Sequence, residues 1–384
     1  MIDIDRGPAM KYMPYFRSRQ GELVNLLKQF SGMESPSDNK DAVNACSEFF
    51  VAELQKCGLE IERIPQQDTG DFYICKHPQA SVSETKAISI LCHTDTVWPV
   101  GQINRMPFYV EGDKVFGPGV SDMKAGLVMA LSVFRTFNQL NVVPKSRLIL
   151  FVNSAEEIPN KNSIEILKKL GGKSKAGICL EPAIPGGDLK LERKGRLVIR
   201  IDTSGKAAHA GSPEQGVSAI EELMKQLKTA LKWRRGETTI NVGLVQGGSK
   251  INVVPDKASA SLDVRFWSSS KKEQILNALH HLIPQTEGAG VRTTVISDTP
   301  PLEKTKKSIA LFDQVKDMAA AMGIELSGGR TGGGSDASHL AGCGVPCLDG
   351  LGPDGGGIHA LDEHVLVSSL VERTALLAEI LQNL

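Results

Sequence analysis

The chain has 384 residues, of which 41% are hydrophobic and 23% are charged; this composition is ordinary for a globular protein, and the length allows two domains. Lysine plus arginine (44) equals aspartate plus glutamate (44). The balance removes the usual electrostatic reason to propose nucleic acid or an anionic membrane as a partner. We expect a small-molecule or peptide substrate, with neither nucleic acid nor membrane as a partner.

Several other classes of protein are also disfavoured. Apolar runs such as "GLVMALSVF" fall short of the roughly 20 residues that span a membrane. The start, "MIDIDRGPAMKYMPYFRSRQ", lacks a basic region followed by an apolar run, so we expect a cytoplasmic protein, although an exported chain without its signal would read the same. Seven cysteines without paired spacing indicate reduced thiols. The glycine clusters lack the Lys-Ser/Thr ending of a P-loop, which argues against a nucleotide site.

Helical and strand patterns alternate through the first half of the chain. Apolar residues spaced by three and four predict helices between about residues 17 and 57. Strand-like runs then follow, "AISILC", "RLILFVNS" and "AGICLE", separated by the helix-like "AGLVMALSVFRTFNQL" and "SIEILKKLGG". This alternation predicts an α/β fold with a mostly parallel central sheet.

The pattern changes after "LERKG". The runs "RLVIRIDTSG", "TTINVGLVQGG" and "ASASLDVRFW" alternate apolar and polar residues, and helical patterns lie between and after them. We therefore predict a smaller α+β (ferredoxin-like) domain over residues 191–302. A helical pattern returns in "SIALFDQVKDMAAAMGI", so residues 1–190 and 303–384 are predicted to form one domain that the smaller domain interrupts.

Carboxylate and histidine side chains follow the predicted strands of the first domain. His93 and Asp95 end "AISILCHTD" and, being two residues apart, lie on the same side of the strand. A carboxylate that holds one ring nitrogen of a histidine leaves the other nitrogen for a metal. Glu156 and Glu157 follow "RLILFVNS", and Glu181 follows "AGICL". Taken singly, each motif is also compatible with an ordinary strand end or loop.

Two further residues complete a possible metal site. Asp122 lies in the turn "GPGVSDMKAG" before a helical pattern, where it could also cap the helix, and His359 lies in "GGGIHALDE". Adjacent carboxylates such as Glu156 and Glu157 repel unless positive charge neutralises them. Open α/β sheets bind ligands at the carboxyl ends of their strands. The combined set suits a hydrolase with two metals roughly 3.5 to 4 Å apart.

In their order along the chain, these motifs resemble those of a zinc exopeptidase family. The motifs are His93-x-Asp95, "GPGVSDMKAG", "NSAEE", "LEP", "GKAAHAG", "NVVP", "DVRF", "RTGGGSDA" and His359 followed by "DE". The family includes glutamate carboxypeptidase (carboxypeptidase G), acetylornithine deacetylase, succinyl-diaminopimelate desuccinylase and aminoacylase. The resemblance covers nearly the whole chain and is greatest for the glutamate carboxypeptidase branch.

The resemblance implies two bound zinc ions, and Co²⁺ or Mn²⁺ would suit the same ligands. The implied ligands are His93 and Glu181 for one ion, Glu157 and His359 for the other, and Asp122 as the bridge between them. Glu156 would be the general base, and Asp95 would orient His93. The resemblance also implies a cis peptide bond between Asp122 and Met123.

Substrate-binding residues are carried over from the same family. A carboxypeptidase must bind a free carboxylate, and the planar guanidinium of arginine matches that group. The candidates are Arg330, Arg265, Asn252 and Lys190, the last aligned only with a one-residue gap; a surface salt bridge for Arg265 and a loop-stabilising role for Arg330 are the alternatives. His209 resembles the family histidine that stabilises the oxyanion from a partner subunit, which implies a homodimer through the inserted dimerisation domain.

The resemblance thus implies a metallopeptidase that removes a C-terminal amino acid, expected to be glutamate, from an N-acyl or peptidyl substrate. The alternative is an N-acyl amino acid deacylase of the acetylornithine deacetylase or desuccinylase type. A non-catalytic metal-binding protein would lack the base, whereas Glu156 is present. The segment "EEIPNKNS" departs from the family pattern near the expected substrate cleft, so the sequence leaves the substrate open.

Overall fold

A computed structural model of the protein describes residues 9–78 and 86–384. The α-helices of this part of the chain are α1 (Ala9–Arg17), α2 (Gln20–Gly32), α3 (Lys40–Lys56), α4 (Ala125–Leu140), α5 (Lys161–Gly171), α6 (Ala219–Leu231), α7 (Ser269–His280), α8 (Lys306–Ala321), α9 (Asp336–Ala341) and α10 (Val367–Asn383). Within the same residues, no helix is both long enough and apolar enough to cross a membrane. All seven cysteines lie in the described ranges, and each is a free thiol there.

The strands are numbered in the same way. They are β1 (Glu60–Ile64), β2 (Phe72–Lys76), β3 (Ala87–His93), β4 (Tyr109–Glu111), β5 (Lys114–Phe116), β6 (Arg147–Asn153), β7 (Ser174–Cys179), β8 (Leu189–Arg193), β9 (Gly195–Ser204), β10 (Ala208–His209), β11 (Thr239–Gly247), β12 (Val253–Val254), β13 (Lys257–Phe266), β14 (Gly290–Thr299), β15 (Gly328–Thr331), β16 (Cys347–Leu348), β17 (Gly355–Gly356) and β18 (His364–Leu366). A turn, Val120–Lys124, in which Asp122 and Met123 have non-helical backbone angles, leads directly into α4.

The chain folds into two compact units. The first contains the residues up to Leu191 together with Lys304–Thr331 and Ser335–Leu384, and the second contains Glu192–Glu303 together with Gly332–Gly334. In sequence, the second unit therefore interrupts the first. The catalytic and dimerisation roles expected for the two predicted domains stay predictions.

The central sheet of the first unit has the strand order β1-β2-β6-β3-β7-β16. Strand β3 runs parallel to both β6 and β7, and β16 runs parallel to β7, whereas β2 is antiparallel to its two neighbours. All seven residues of β3 are buried, as expected for a strand covered on both faces. The predicted α/β fold with a mostly parallel sheet is confirmed. Its order places the carboxyl ends of β6, β3 and β7 side by side.

A small antiparallel sheet brings the last part of the chain close to the turn before α4. Its order is β17-β18-β5-β4, and β18 pairs with β5. The loop that contains His359 connects β17 to β18, and the turn that contains Asp122 follows β5. This pairing therefore places two widely separated segments of the chain next to each other.

The second unit contains a four-stranded antiparallel sheet in the order β11-β13-β9-β14. Residues of β9 and β13 alternate between buried and more exposed positions. The buried residues pack with apolar residues of α6 and α7, such as Leu223 and Ile275, so the two helices cover one face. The predicted α+β organisation is confirmed, and dimerisation through it stays a prediction.

Candidate metal centre

The five side chains expected to bind metal come together at one end of the central sheet. Asp122 lies in the middle, with Oδ1 3.1 Å from Nε2 of His93 and Oδ2 3.3 Å from Nε2 of His359. Glu181 Oε1 lies 3.3 Å from the same nitrogen of His93, and Glu157 Oε1 lies 3.4 Å from that of His359. The two oxygens of Asp122 thus lie next to different histidines, each of which has its own glutamate neighbour.

The donor atoms fit a pair of divalent cations. Donor atoms of His93, Asp122 and Glu157 lie within 4.8 Å of one another, and so do those of His93, Glu156 and Glu181. Imidazole nitrogen combined with carboxylate oxygen suits zinc, cobalt and manganese. Because buried carboxylates at these separations repel one another, bound cations would stabilise the arrangement.

The contacts of His93 and Asp95 explain why they lie two residues apart. His93 Nδ1 lies 3.0 Å from the main-chain oxygen of Asp95 and 3.4 Å from its Oδ1. A carbonyl oxygen only accepts, so Nδ1 carries the hydrogen and the lone pair of Nε2 in the neutral ring is left for a metal.

The carboxylate of Asp95 has a second set of partners that the sequence did not reveal. The backbone N–H of Glu156 donates to Oδ1 at 3.0 Å, and that of Glu157 donates to Oδ2 at 3.1 Å. The Ser37 hydroxyl also donates to Oδ2 at 2.7 Å. Asp95 therefore fixes the backbone of both adjacent glutamates.

A second buried pair supports the same loop. Asn153, the last residue of β6, accepts a hydrogen bond from the N–H of Ala155 at 3.0 Å and donates to Asp336 Oδ2 at 2.9 Å. Burial raises the pKa of Asp336 to about 7, although the Asn153 hydrogen bond acts in the opposite direction. Asp336 belongs to the motif "RTGGGSDA", from which its contact with Asn153 could not be predicted.

Asp122 is presented by a tight turn. The bond between Asp122 and Met123 is cis, as the resemblance implies. Gly119 has φ of +69°, and a Cβ there would lie 2.8 Å from Thr96 Cγ2, so glycine is required at this position. In the same turn, the backbone N–H groups of Ser121 and Asp122 donate to the buried carboxylate of Glu363 at 2.9 and 3.0 Å.

The loop that carries His359 is similarly constrained. His359 itself has φ of +60° and its side chain is 49% exposed. Gly357 has φ of +69°, and a Cβ there would lie 2.6 Å from the backbone of Asp362. The loop backbone therefore leaves little freedom for other residues at Gly357.

Burial and charge shift the pKa values of the paired glutamates upward. The pKa of Glu156 lies well above its ordinary value because the side chain is buried and the Glu181 carboxylate is near. Burial also raises the pKa of Glu157, although its hydrogen bond with His359 acts against the increase. Both carboxylates are in an environment that favours added positive charge.

The histidines respond to the same carboxylates. Burial lowers the pKa of His93, but hydrogen bonds to Asp122 and its other carboxylate partners outweigh burial and raise the pKa well above its ordinary value. Asp122 and Glu157 raise the pKa of His359 to about 10. The pKa of Asp122 is lowered because the hydrogen bonds from His359 and His93 outweigh its burial. The centre as a whole strongly attracts positive charge.

The two arginines proposed for substrate binding lie in different units. Arg330 is exposed on β15 in the first unit. Arg265 lies on β13 in the second unit, where Nε donates to Asp263 Oδ1 at 3.0 Å and Nη1 donates to the carbonyl oxygen of Gly332 at 2.8 Å. Their expected role in binding a carboxylate stays a prediction.

The remaining candidates have different surroundings. Lys190 is 7% exposed, with Nζ 3.9 Å from Glu181 Oε2. Asn252 is exposed in the second unit. His209, also exposed there, accepts a hydrogen bond at Nδ1 from the N–H of Gly211 at 3.0 Å. In the neutral ring this leaves the hydrogen on Nε2, the tautomer that can donate to an anion.

A cluster of two histidines and three carboxylates at the carboxyl end of this α/β sheet, beside a buried glutamate, is typical of a metal-dependent hydrolase. The chain belongs to peptidase family M20/M25/M40, whose model matches residues 90–383. It is therefore a metallopeptidase or amidohydrolase.

Known proteins resemble this chain over most of its length. Carboxypeptidase G2 of Pseudomonas sp. (strain RS-16) is 25% identical over 378 residues, which cover 95% of this chain and 90% of that protein. Succinyl-diaminopimelate desuccinylase of Delftia acidovorans is 25% identical over 351 residues, covering 85% and 89% of the two chains. The crystal structure of aminopeptidase PepT from Bacillus cereus has the same fold, with a TM-score of 0.75 at 22% identity and coverage of 94% and 98%.

Proposed function

We propose that this chain is a two-zinc carboxypeptidase that hydrolyses the amide bond to a C-terminal amino acid, expected to be glutamate, of N-acyl or peptidyl substrates. The observation that supports it most is the position of Asp122, whose two oxygens face His93 and His359 separately. Bound zinc would polarise the scissile carbonyl and lower the pKa of a bound water. Co²⁺ or Mn²⁺ would serve with the same ligands.

Glu156 is proposed as the general base. Its carboxylate lies close to His93 and Glu181, and Asp95 accepts a hydrogen bond from its backbone N–H. Glu156 would take the proton from the attacking water and pass it to the leaving nitrogen. The adjacent Glu157 faces His359 instead, so the two neighbouring glutamates are suited to different tasks.

Recognition of the C-terminal residue is assigned to three positively charged side chains and one amide. Arg265 and Arg330 are proposed to bind its carboxylate, because arginine offers two parallel donors to such a group. Asn252 and Lys190 complete the set, with Lys190 acting from a buried position beside a proposed metal ligand. His209 would donate to the developing oxyanion from the partner subunit of a cytoplasmic homodimer.

The assignment of Glu156 predicts a clear result for Glu156→Ala. Zinc-loaded wild type should cleave N-acyl-glutamate or peptidyl-glutamate, and the variant should lose roughly 10²- to 10⁴-fold in kcat because the base is removed. Metal analysis of both proteins should give the same zinc content. Glu165→Ala, which changes an exposed glutamate on α5, is the control and should retain activity. A Glu156→Ala protein with wild-type kcat would show that the base is a different residue.

A wider panel of substrates distinguishes the carboxypeptidase from the deacylase. The relative with desuccinylase activity is as similar in identity as carboxypeptidase G2, so N-acetylornithine and N-succinyl-diaminopimelate belong in the panel. The carboxypeptidase proposal predicts a strong preference for one C-terminal residue with several acyl groups tolerated. Selection for the acyl group instead would establish the deacylase.

A further inference from the structure

Glu363 lies at the point where several segments of the metal centre meet. Its side chain is 1% exposed and accepts four hydrogen bonds. Oε1 accepts from the backbone N–H of Ser121 at 2.9 Å and of Asp122 at 3.0 Å. Oε2 accepts from the backbone N–H of Gly119 at 2.9 Å and from Nε1 of Trp98 at 2.7 Å.

These donors belong to segments that carry different proposed ligands. Trp98 follows His93 on the loop after β3, and the three backbone donors belong to the turn that presents Asp122. Glu363 itself follows His359 on the loop between β17 and β18. One side chain therefore connects the His93, Asp122 and His359 segments without being one of the donors that face the metal positions.

We propose that Glu363 is a positioning residue that holds Asp122 and His359 in the arrangement required to bind two ions; this inference rests on the proposed two-metal function. A buried carboxylate that accepts charge-assisted hydrogen bonds from several N–H groups restrains them strongly. Ligand atoms must be held within about 0.5 Å of their productive positions. Glu363 supplies that restraint through the backbone N–H groups of the turn, which leaves the Asp122 carboxylate free to bind the ions.

The substitution Glu363→Gln tests the proposal with little change in size. One oxygen can still accept from Ser121 and Asp122, but the new amide NH₂ faces the N–H groups of Gly119 and Trp98, so donors oppose donors. Zinc titration of the demetallated protein by calorimetry should show an affinity roughly 10- to 100-fold weaker than that of wild type for at least one ion. This measurement does not depend on catalytic activity.

Glu34→Gln is the matched control. Glu34 also accepts two backbone hydrogen bonds, from Gly101 at 2.7 Å and Ile103 at 2.9 Å, on the loop that follows Trp98. The partners of Glu34 are not proposed ligands, so the zinc affinity of Glu34→Gln should equal that of wild type. Circular dichroism and thermal unfolding of the demetallated proteins test whether both variants are folded.

A milder variant covers the case in which Glu363→Gln does not fold. Trp98→Phe keeps an aromatic ring and removes one of the four donors, and its zinc affinity should fall several-fold. Wild-type zinc affinity in folded Glu363→Gln would overturn the positioning role while leaving the proposed function intact. If Glu363→Gln does not fold, wild-type affinity in Trp98→Phe would do the same. If wild type itself binds no zinc, the proposed function fails and Glu363 has no metal ligands to position.

Discussion

At the scale of single residues, buried carboxylates that are not proposed ligands hold the loops of the metal centre. Asp95 accepts hydrogen bonds from the backbone N–H groups of Glu156 and Glu157. Glu363 accepts hydrogen bonds from those of Ser121 and Asp122. Loops lack the regular partners that helices and sheets give to backbone N–H groups. A carboxylate satisfies two or more of them and fixes the position of the side chains that they carry.

The role of Asp95 can be tested by Asp95→Asn. The amide can accept only through its single oxygen, so it cannot serve the N–H groups of both Glu156 and Glu157 as the carboxylate does. We expect kcat to fall roughly 10- to 100-fold with zinc retained. Ser37→Ala, which removes only the hydroxyl donor to Asp95, is the control and should have a smaller effect. Steady-state kinetics with metal analysis measures both, and equal kcat values for Asp95→Asn and wild type would contradict the role.

Sequence motifs indicated which residues to consider but not all of their partners. His93 and Asp95 could be paired from the sequence because strand geometry places residues two apart on the same side. The hydrogen bonds from Trp98 to Glu363 and from Asn153 to Asp336 join residues far apart in the chain. Neither pair produces a local pattern, so only the folded chain reveals it.

At the scale of elements, long buried segments were the predictable part. The run "AGLVMALSVFRTFNQL" coincides with α4, and "RLILFVNS" contains β6. The helices predicted between about residues 17 and 57 correspond to α2 and α3; α2 ends at Gly32, and α3 begins at Lys40, where the Asn39 side chain caps it. Strand β1 was not predicted because its residues are mostly exposed and lack alternation, and β4 and β5 are only three residues long.

The attachment of α6 to the segment after α7 should depend on pH. Burial raises the pKa of Glu222, but hydrogen bonds from Thr286, Gln226 and Gln285 outweigh burial, and the net pKa is lowered. The unfolded chain therefore binds the proton at higher pH than the folded chain does. The stabilisation is present above the unfolded value of about 4.3 and is lost as the pH falls through the lower folded value.

Urea unfolding of the demetallated protein measures this effect. The free energy of unfolding of wild type should exceed that of Glu222→Gln at pH 6, and the difference should shrink as the pH falls below about 4.3. Glu221→Gln changes an exposed neighbour on the same helix and should follow wild type at every pH. A difference between wild type and Glu222→Gln that stays constant over this range would show that ionisation of Glu222 does not stabilise the fold.

At the scale of the whole molecule, the metal centre is assembled from both ends of the first unit's sequence. Four proposed ligands precede the inserted second unit, and His359 follows it. The sequence predicted the insertion because the alternation of helix and strand patterns changed after "LERKG" and a helical pattern returned near residue 308. The balanced net charge only disfavoured nucleic acid and anionic membranes as partners, since net charge does not determine the fold or the substrate.

The proposed homodimer makes a prediction about mixed subunits. If His209 acts in the partner's active site, Glu156→Ala and His209→Ala homodimers should each be nearly inactive. Unfolding and refolding the two variants together in equal amounts should then restore about a quarter of wild-type activity. Half of the dimers would be mixed, and each mixed dimer would have one complete site out of two. The mixture should be measured beside each variant refolded alone, with dimer formation checked by analytical ultracentrifugation. Mixed dimers that remain as inactive as the parents would show that His209 does not act across the dimer.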